Sequence, residues 1–457
     1  MISGRDIDLS SPNIKGNLIR LAIPAILAQA ANLTYSIVGR IFIGQLSYGS
    51  VAMSSIGITM PIIMVISAFT VLIGYGGAPI AAIALGEGNK EKAEKILGNS
   101  FSSLITMAIV LTAVFQLFKE PLLWQFGASS ATIDYAVDYL SIYLWGTLFT
   151  QLTMGMNTFI NTQGYTQVGM VSIFIGAILN LLLCTLFIFN LDMGVKGAAL
   201  ASVIAQFAAM LWILAFLFGK RTKLKIKKGN LIFDKKVMLT ILSLGTVPFI
   251  INVSESAIIA ALNTQILEFS GDLAVSAMTV AISVMQIVLI PLMGLSQGAQ
   301  PILGYNYGAG NKKIVKETFK ILFLACLIHT LFFTGVILIY PYPIIKLFNK
   351  DPALVAISAE TIRYYFIGTV VIGGQIAIQQ TFMALGRARE SFLIVFLRKI
   401  VLLLPLIYIL PNFLTNKYHG VLLATPVADI ISTVFAFISF YIFYNKSLYE
   451  NAEVKAA

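Results

Sequence analysis

A chain of 457 residues with 58% hydrophobic residues, 11% charged residues and a mean hydropathy of +0.88 is too apolar for a water-soluble globule. Its formal net charge of +11 would suit a nucleic-acid binder, but the charges fall in alternate loops between apolar runs, which excludes that reading. Two cysteines, Cys184 and Cys326, both lie inside apolar runs and supply neither a disulfide framework nor a metal site.

The polar segment 1–17 lacks a charged-apolar-small cleavage pattern, so no removable signal peptide is expected. A hydrocarbon core about 30 Å thick takes roughly 20 apolar residues per helix. Runs of that length predict spans near 18–45, 51–84, 97–117, 135–160, 168–190 and 196–219, then 238–268, 273–307, 318–340, 358–384, 391–411 and 419–445. The fold class is therefore all-α: a polytopic membrane protein with twelve transmembrane helices in two six-helix lobes, 18–219 and 238–445. A bridge at 220–237 joins them and a tail follows at 446–457. Gly219 to Lys236 carries eight Lys or Arg against one acid, Asp234, and its polar length would let the lobes move as separate bodies.

Placing the N-terminus, the bridge and the tail in the cytoplasm puts 24 basic residues inside and 5 outside, with Arg387, Arg389, Arg398 and Lys399 in the inside set. The expected location is the cell membrane, with both termini cytoplasmic.

The halves repeat at an offset of 222 residues. GGAPIAAIALGEGNK from Gly76 to Lys90 returns as GAQPILGYNYGAGNK from Gly298 to Lys312, and Gly164 returns as Gly386. Six spans per repeat give both copies the same orientation, a layout in which substrate binds between halves that rock against each other. The Gly-x-Gly-Asn-Lys turns lack phosphate-loop spacing and read as helix ends.

The stretches LIRLAIPAILAQ (Leu18 to Gln29), IVGRIFIG (Ile37 to Gly44), GNKEKAEKILGNS (Gly88 to Ser100) and MGVKGAALASVIAQ (Met193 to Gln206) resemble the MATE (multidrug and toxic compound extrusion) family from about Leu18 to Tyr444. The resemblance implies two lobes, a central cavity, and export of organic cations in exchange for H⁺ or Na⁺. Two positions depart from the family pattern. Where the family usually carries an Asp on the first helix this chain has Gly39, and where it carries one on the fifth, Cys184.

Ionisable groups inside spans are functional candidates by default because hydrocarbon makes them costly. Glu255, with Asn252, Ser256 and Asn263 on one face of the seventh helix, is the main coupling candidate. Desolvation is expected to raise its pKa and a bound cation to lower it. Asp429 is the second candidate. Gln29, Asn32, Ser36, Tyr143, Gln151, Met154 and Asn180 form polar stripes on helices of the first lobe. Gln375 and Gln379 add polar contacts in the second lobe. Lone His329 reads as helix packing.

No HExxH motif, acid-base pair or nucleophilic triad marks an enzyme, and no cofactor or metal is implied beyond transported H⁺ or Na⁺. The reading is an exporter of cationic or amphipathic small molecules, monomeric in the bilayer, coupled through Glu255. The alternatives are an uncoupled facilitator, sensor or scaffold, and a flippase for lipid-linked cargo.

Overall fold

The structure, a computed structural model, describes residues 7–348 and 351–449. Segments 1–6 and 450–457 of the expected termini lie outside those residues, as do the side chains of Ser36 and Arg40. Among the described residues there are helices and no strands. In the first lobe these are α1 (Ile14–Gly44), α2 (Gly49–Gly86), α3 (Lys90–Gln125), α4 (Ile133–Trp145), α5 (Thr147–Thr162), α6 (Thr166–Cys184) and α7 (Gly194–Leu217). The second lobe has α8 (Lys235–Gly308), α9 (Lys312–Ile339), α10 (Pro341–Lys346), α11 (Pro352–Tyr365), α12 (Thr369–Ala384), α13 (Ala388–Phe396), α14 (Leu404–Ile409) and α15 (Lys417–Phe443).

Among the described residues, nine helices are long and apolar enough to cross a membrane, and the bent pair α11–α12 makes ten. Two further crossings come from how the chain breaks. At 74 residues, α8 would be about 110 Å long if straight, several times a bilayer core. It divides at Gly271, whose φ of 76° and ψ of −174° only glycine adopts readily. Ile258, Ala261 and Ile266 before the break share one core with Ala274, Met278 and Ala281 after it, so the halves run back along each other. The fourth expected span is split at Gly146 into α4 and α5, and the tenth bends by 50° between α11 and α12.

The duplicated Gly-x-Gly-Asn turns end helices as read. Gly88 and Gly310 take φ of 74° and 73°, and the following Asn N–H groups return to the carbonyls of Ala84 (2.9 Å) and Asn306 (2.8 Å). Asn89 then caps α3 by accepting from the Lys92 N–H at 2.9 Å.

The lobes meet at the end that carries these turns and the bridge. There the backbones of α2 and α8 cross with no room for a side chain. A Cβ on Gly245 would collide with the Leu72 carbonyl, and one on Gly308 with that of Ile83. Toward the other end α1 and the later half of α8 diverge, leaving a cleft of ≈ 580 Å³ lined by Gln29, Asn32, Ser283, Gln286 and Met293 among others.

The bridge is strapped to the first lobe rather than slack. Gln163 Oε1 accepts from the N–H groups of Lys223 (2.7 Å) and Leu224 (3.0 Å), and Asn99 Oδ1 accepts from that of Asp234 (2.7 Å). Ser102 donates to the Leu231 carbonyl (2.8 Å), Lys95 pairs with Asp234 (2.6 Å), and Lys227 pairs with buried Glu94. These hydrogen bonds fasten it to the first lobe.

Candidate functional site

The inward faces of α1, α2 and α4–α7 enclose a first-lobe cavity of ≈ 320 Å³. Gln29, Asn32, Tyr143, Met154 and Asn180 line it, as their helical faces predict. Tyr35, Tyr75, Asn157, Asn161 and Gln206 join them, and Gln297 reaches in from the second lobe. Gln29 and Asn32 also border the cleft, so cavity and cleft share a wall.

No lining residue among those described carries a charge. Asn157 uses its amide to donate to the Gly169 carbonyl and Ser172 Oγ, both at 3.2 Å, which fixes its orientation. The carbonyl oxygens of Asn157, Asn161 and Gln206, all cavity-lining residues, are buried without a protein partner.

Other expected residues lie elsewhere. Gln151 is fully buried outside the cavity: at about 100° per residue it lies about 80° round the helix from Tyr143, whereas Thr150 and Met154 lie within about 20° of it and line the cavity. Asn252 is occupied by the Pro248 carbonyl (2.9 Å), and Asn263 is not at the cavity. Gln375 is buried and accepts from Thr433 (3.4 Å), and Gln379 is buried as well; both are second-lobe residues remote from the cavity lining. The His329 Nε2 lies 2.9 Å from the Val288 carbonyl, with its ring against Phe333, as suits packing.

The second lobe places charge where the first has space. At the 222-residue offset Tyr143 corresponds to Tyr365, Gly176 to Arg398 and Ala177 to Lys399. One extra loop residue then shifts the register, so Gly197, Ser202, Ala205 and Gln206 correspond to Gly420, Thr425, Ala428 and Asp429. Gly176, Ala177 and Gln206 line the first-lobe cavity. Their counterparts are two cations and an acid.

Arg398 and Lys399, counted by sequence among the charges at the bridge end, instead occupy a π-helical segment, Leu397–Leu403, within the eleventh span. The Arg398 Nε donates to Asp429 Oδ1 at 2.6 Å, and Lys399 donates to Glu255. Removing both from the loop set reduces the basic side from 24 to 22. Glu255 is thus a paired carboxylate rather than a lone one: its side chain is 53% exposed, against 10% for Lys399. Asp429, 1% exposed, holds Arg398 and carries the backbone turn to which Ser432 and Thr433 donate. Next to Glu255, Ser256 reaches Met64 Sδ of the other lobe at 3.2 Å, so this stretch faces the first lobe.

Two lobes of transmembrane helices closed at one end, a cavity in the first and an ion-pair cluster in the second are architecture without a lineage. A family model supplies it: MatE matches residues 24–186 and 248–409, one copy in each lobe. The chain belongs to the MATE family. Similar relatives of this MATE protein include the multidrug export protein MepA of Staphylococcus haemolyticus, 24% identical over 94% of this chain and 93% of that one. An FAD transporter of Shewanella oneidensis is 24% identical over 93% of each. Among solved structures, the MATE multidrug transporter DinF-BH, determined as a ligand complex, is 29% identical with a TM-score of 0.87, covering 96% of this chain and 97% of that one. This MATE protein is accordingly a multi-pass membrane exporter of small molecules and not an enzyme.

The two altered family positions have distinct local settings. A Cβ on Gly39 would meet nothing within 4 Å. Cys184 is buried and donates Sγ–H to Asn180 Oδ1 at 3.5 Å, while the Asn180 amide donates to Ser202 Oγ at 3.0 Å. The thiol therefore completes a neutral hydrogen-bond chain in this MATE protein.

Proposed function

We propose that the protein works by alternating access in the cell membrane, taking amphipathic small molecules, organic cations among them, into the first-lobe cavity and exchanging them for protons taken up at Glu255. The observation that carries this reading is the Glu255–Lys399 pair: a half-exposed carboxylate, next to a residue that contacts the first lobe, joined to a nine-tenths buried ammonium. A proton on Glu255 dissolves the pair, so protonation changes what holds α8 to the eleventh span.

The positive-inside bias, 22 basic residues against 5, supports a cytoplasmic bridge end and cytoplasmic termini. With the lobes closed at that end, the arrangement is outward-open. The basic side then faces anionic headgroups, which accounts for the net charge without nucleic acid.

A cavity of ≈ 320 Å³ falls in the small-molecule range, and the Tyr35, Tyr75 and Tyr143 rings offer apolar and cation-attracting surface. Sodium has weaker support as the exchanged ion, because Gly39 and Cys184 leave the first lobe without the family's carboxylates. The protein works as a monomer in this reading, each chain holding both lobes. Ethidium efflux from proteoliposomes, with pH and Na⁺ gradients imposed separately, tests it. Efflux driven by the pH gradient alone is expected; gradient-independent equilibration would make the protein a facilitator.

A further inference from the structure

Protonating Glu255 creates a charge problem that its neighbours cannot solve. The cluster holds two cations, Arg398 and Lys399, two carboxylates, Glu255 and Asp429, and one phenol, Tyr365, which feels Asp429, Glu255 and Arg398. With both acids ionised the sum is zero. Once Glu255 is neutral, one positive charge is left on side chains that are 10% and 24% exposed. Lys399 could lean toward Asp429, but that carboxylate already holds the Arg398 Nε at 2.6 Å, and one acid between two cations still leaves the charge uncancelled. Buried charge without a counter-charge is strongly disfavoured.

We propose that Lys399 is a proton-linked anion site, at which a monovalent anion, a halide or a carboxylate, takes the place of Glu255 on the ammonium when Glu255 is protonated. The inference rests on the reading that Glu255 takes the coupling proton. The step balances: the carboxylate gains H⁺, Lys399 keeps its ammonium, and the incoming anion restores the cluster to neutrality. Three features support it. The site is reached through the exposed face of Glu255, whose neighbour Ser256 contacts the first lobe. The ammonium itself is nine-tenths buried, a setting that strengthens its attraction for an anion. In the first lobe the equivalent positions are Gly176 and Ala177, so the cations are particular to the half that holds Glu255.

Proton and anion then bind cooperatively, and linkage requires that adding the anion draw protons from solution. The test uses the full chain in detergent, lightly buffered near neutral pH with an indicator dye, titrated with sodium chloride, sodium salicylate or uncharged methyl salicylate. The wild type is expected to take up about one proton per molecule at saturation with a fitting anion and none with the ester. Uptake with chloride identifies a free anion travelling with the proton; uptake with salicylate alone identifies the carboxylate of an amphipathic cargo. Glu255→Gln and Lys399→Gln should each abolish uptake. The double variant Glu255→Gln/Lys399→Gln, which keeps the cluster neutral and so protects the fold, should be silent as well. No uptake by the wild type with either salt, or uptake that survives Lys399→Gln, overturns the site. If Glu255→Gln abolishes pH-driven efflux while the wild type shows no anion-linked uptake, the proposed function stands and this inference alone falls.

Discussion

Lys399 lies against the carboxylate of Glu255, 144 residues earlier in the chain, with one side chain nine-tenths buried and the other half exposed. That asymmetry decides which partner can be removed. Glu255→Gln strands a buried ammonium and should cost about 3 kcal/mol or more; Lys399→Gln leaves a half-exposed carboxylate and should cost less. The double variant should recover much of the larger loss. Thermal melting in detergent gives the comparison, and additive losses would mean that the pair contributes no coupling energy.

The closed end of the molecule depends on backbone contact between α2 and α8. Gly308→Val places a branched side chain where the Ile83 carbonyl lies, so the bridge end should fail to close. Ala82, 1% exposed beside this crossing, reports on it. Maleimide labelling of Ala82→Cys from the bridge side should rise several-fold when Gly308→Val is added. Unchanged labelling would place the closure elsewhere.

Asp234 gives the bridge a pH dependence. Its carboxylate accepts from Lys95 at 2.6 Å and from the N–H groups of Val237 and Lys236, and these bonds, the Lys95 bond foremost, hold its pKa below the usual carboxylate range. A depressed folded value means that the stabilisation is complete above the ordinary carboxylate pKa, about 4, and is lost as pH falls through the lowered value. A spin label at Lys228→Cys should be immobile at neutral pH and loosen only in strong acid. With Asp234→Ala it should be looser at neutral pH as well.

The first lobe has room for the acids it lacks. An aspartate at position 39 meets no neighbour within 4 Å at its Cβ, whereas one at position 184 would be buried beside Asn180. Gly39→Asp/Cys184→Asp should lower the melting temperature in sodium-free buffer, and Na⁺ should restore it. Equal melting with and without Na⁺ would show that the surrounding oxygens no longer suit a cation.

Much of this architecture is legible in sequence because it follows from long-period patterns. Apolar runs place the spans, and the recurring Gly76 to Lys90 and Gly298 to Lys312 segments mark the helices that cross between lobes. The cavity stripe Gln29, Asn32, Tyr143, Met154 and Asn180 follows from helical phase. Gln151 stands about 80° off that stripe, at its edge, where helical phase does not decide between cavity and core. Asn157 and Asn161, four residues apart beyond the break, carried a readable signal that a continuous helix would have pointed in the same direction as Met154.

Arg398 and Lys399 were obscured for a different reason. They follow Arg387 and Arg389 closely enough that sorting charges by loop assigns all four to one side. Their partners, Asp429 and Glu255, are 31 and 144 residues away, so only the folded chain brings the four together. The bridge misleads similarly: its composition describes a solvated tether, whereas its hydrogen bonds to Gln163, Asn99 and Ser102 lie in backbone atoms that composition does not register.

The most direct measurement is ethidium efflux from proteoliposomes under an imposed pH gradient, comparing the wild type with Glu255→Gln and with the charge-balanced Glu255→Gln/Lys399→Gln. Proton exchange at Glu255 predicts gradient-driven efflux by the wild type and its loss in both variants, with the double variant folded by its melting curve. Efflux that follows the pH gradient undiminished in a folded variant lacking Glu255 would contradict the account.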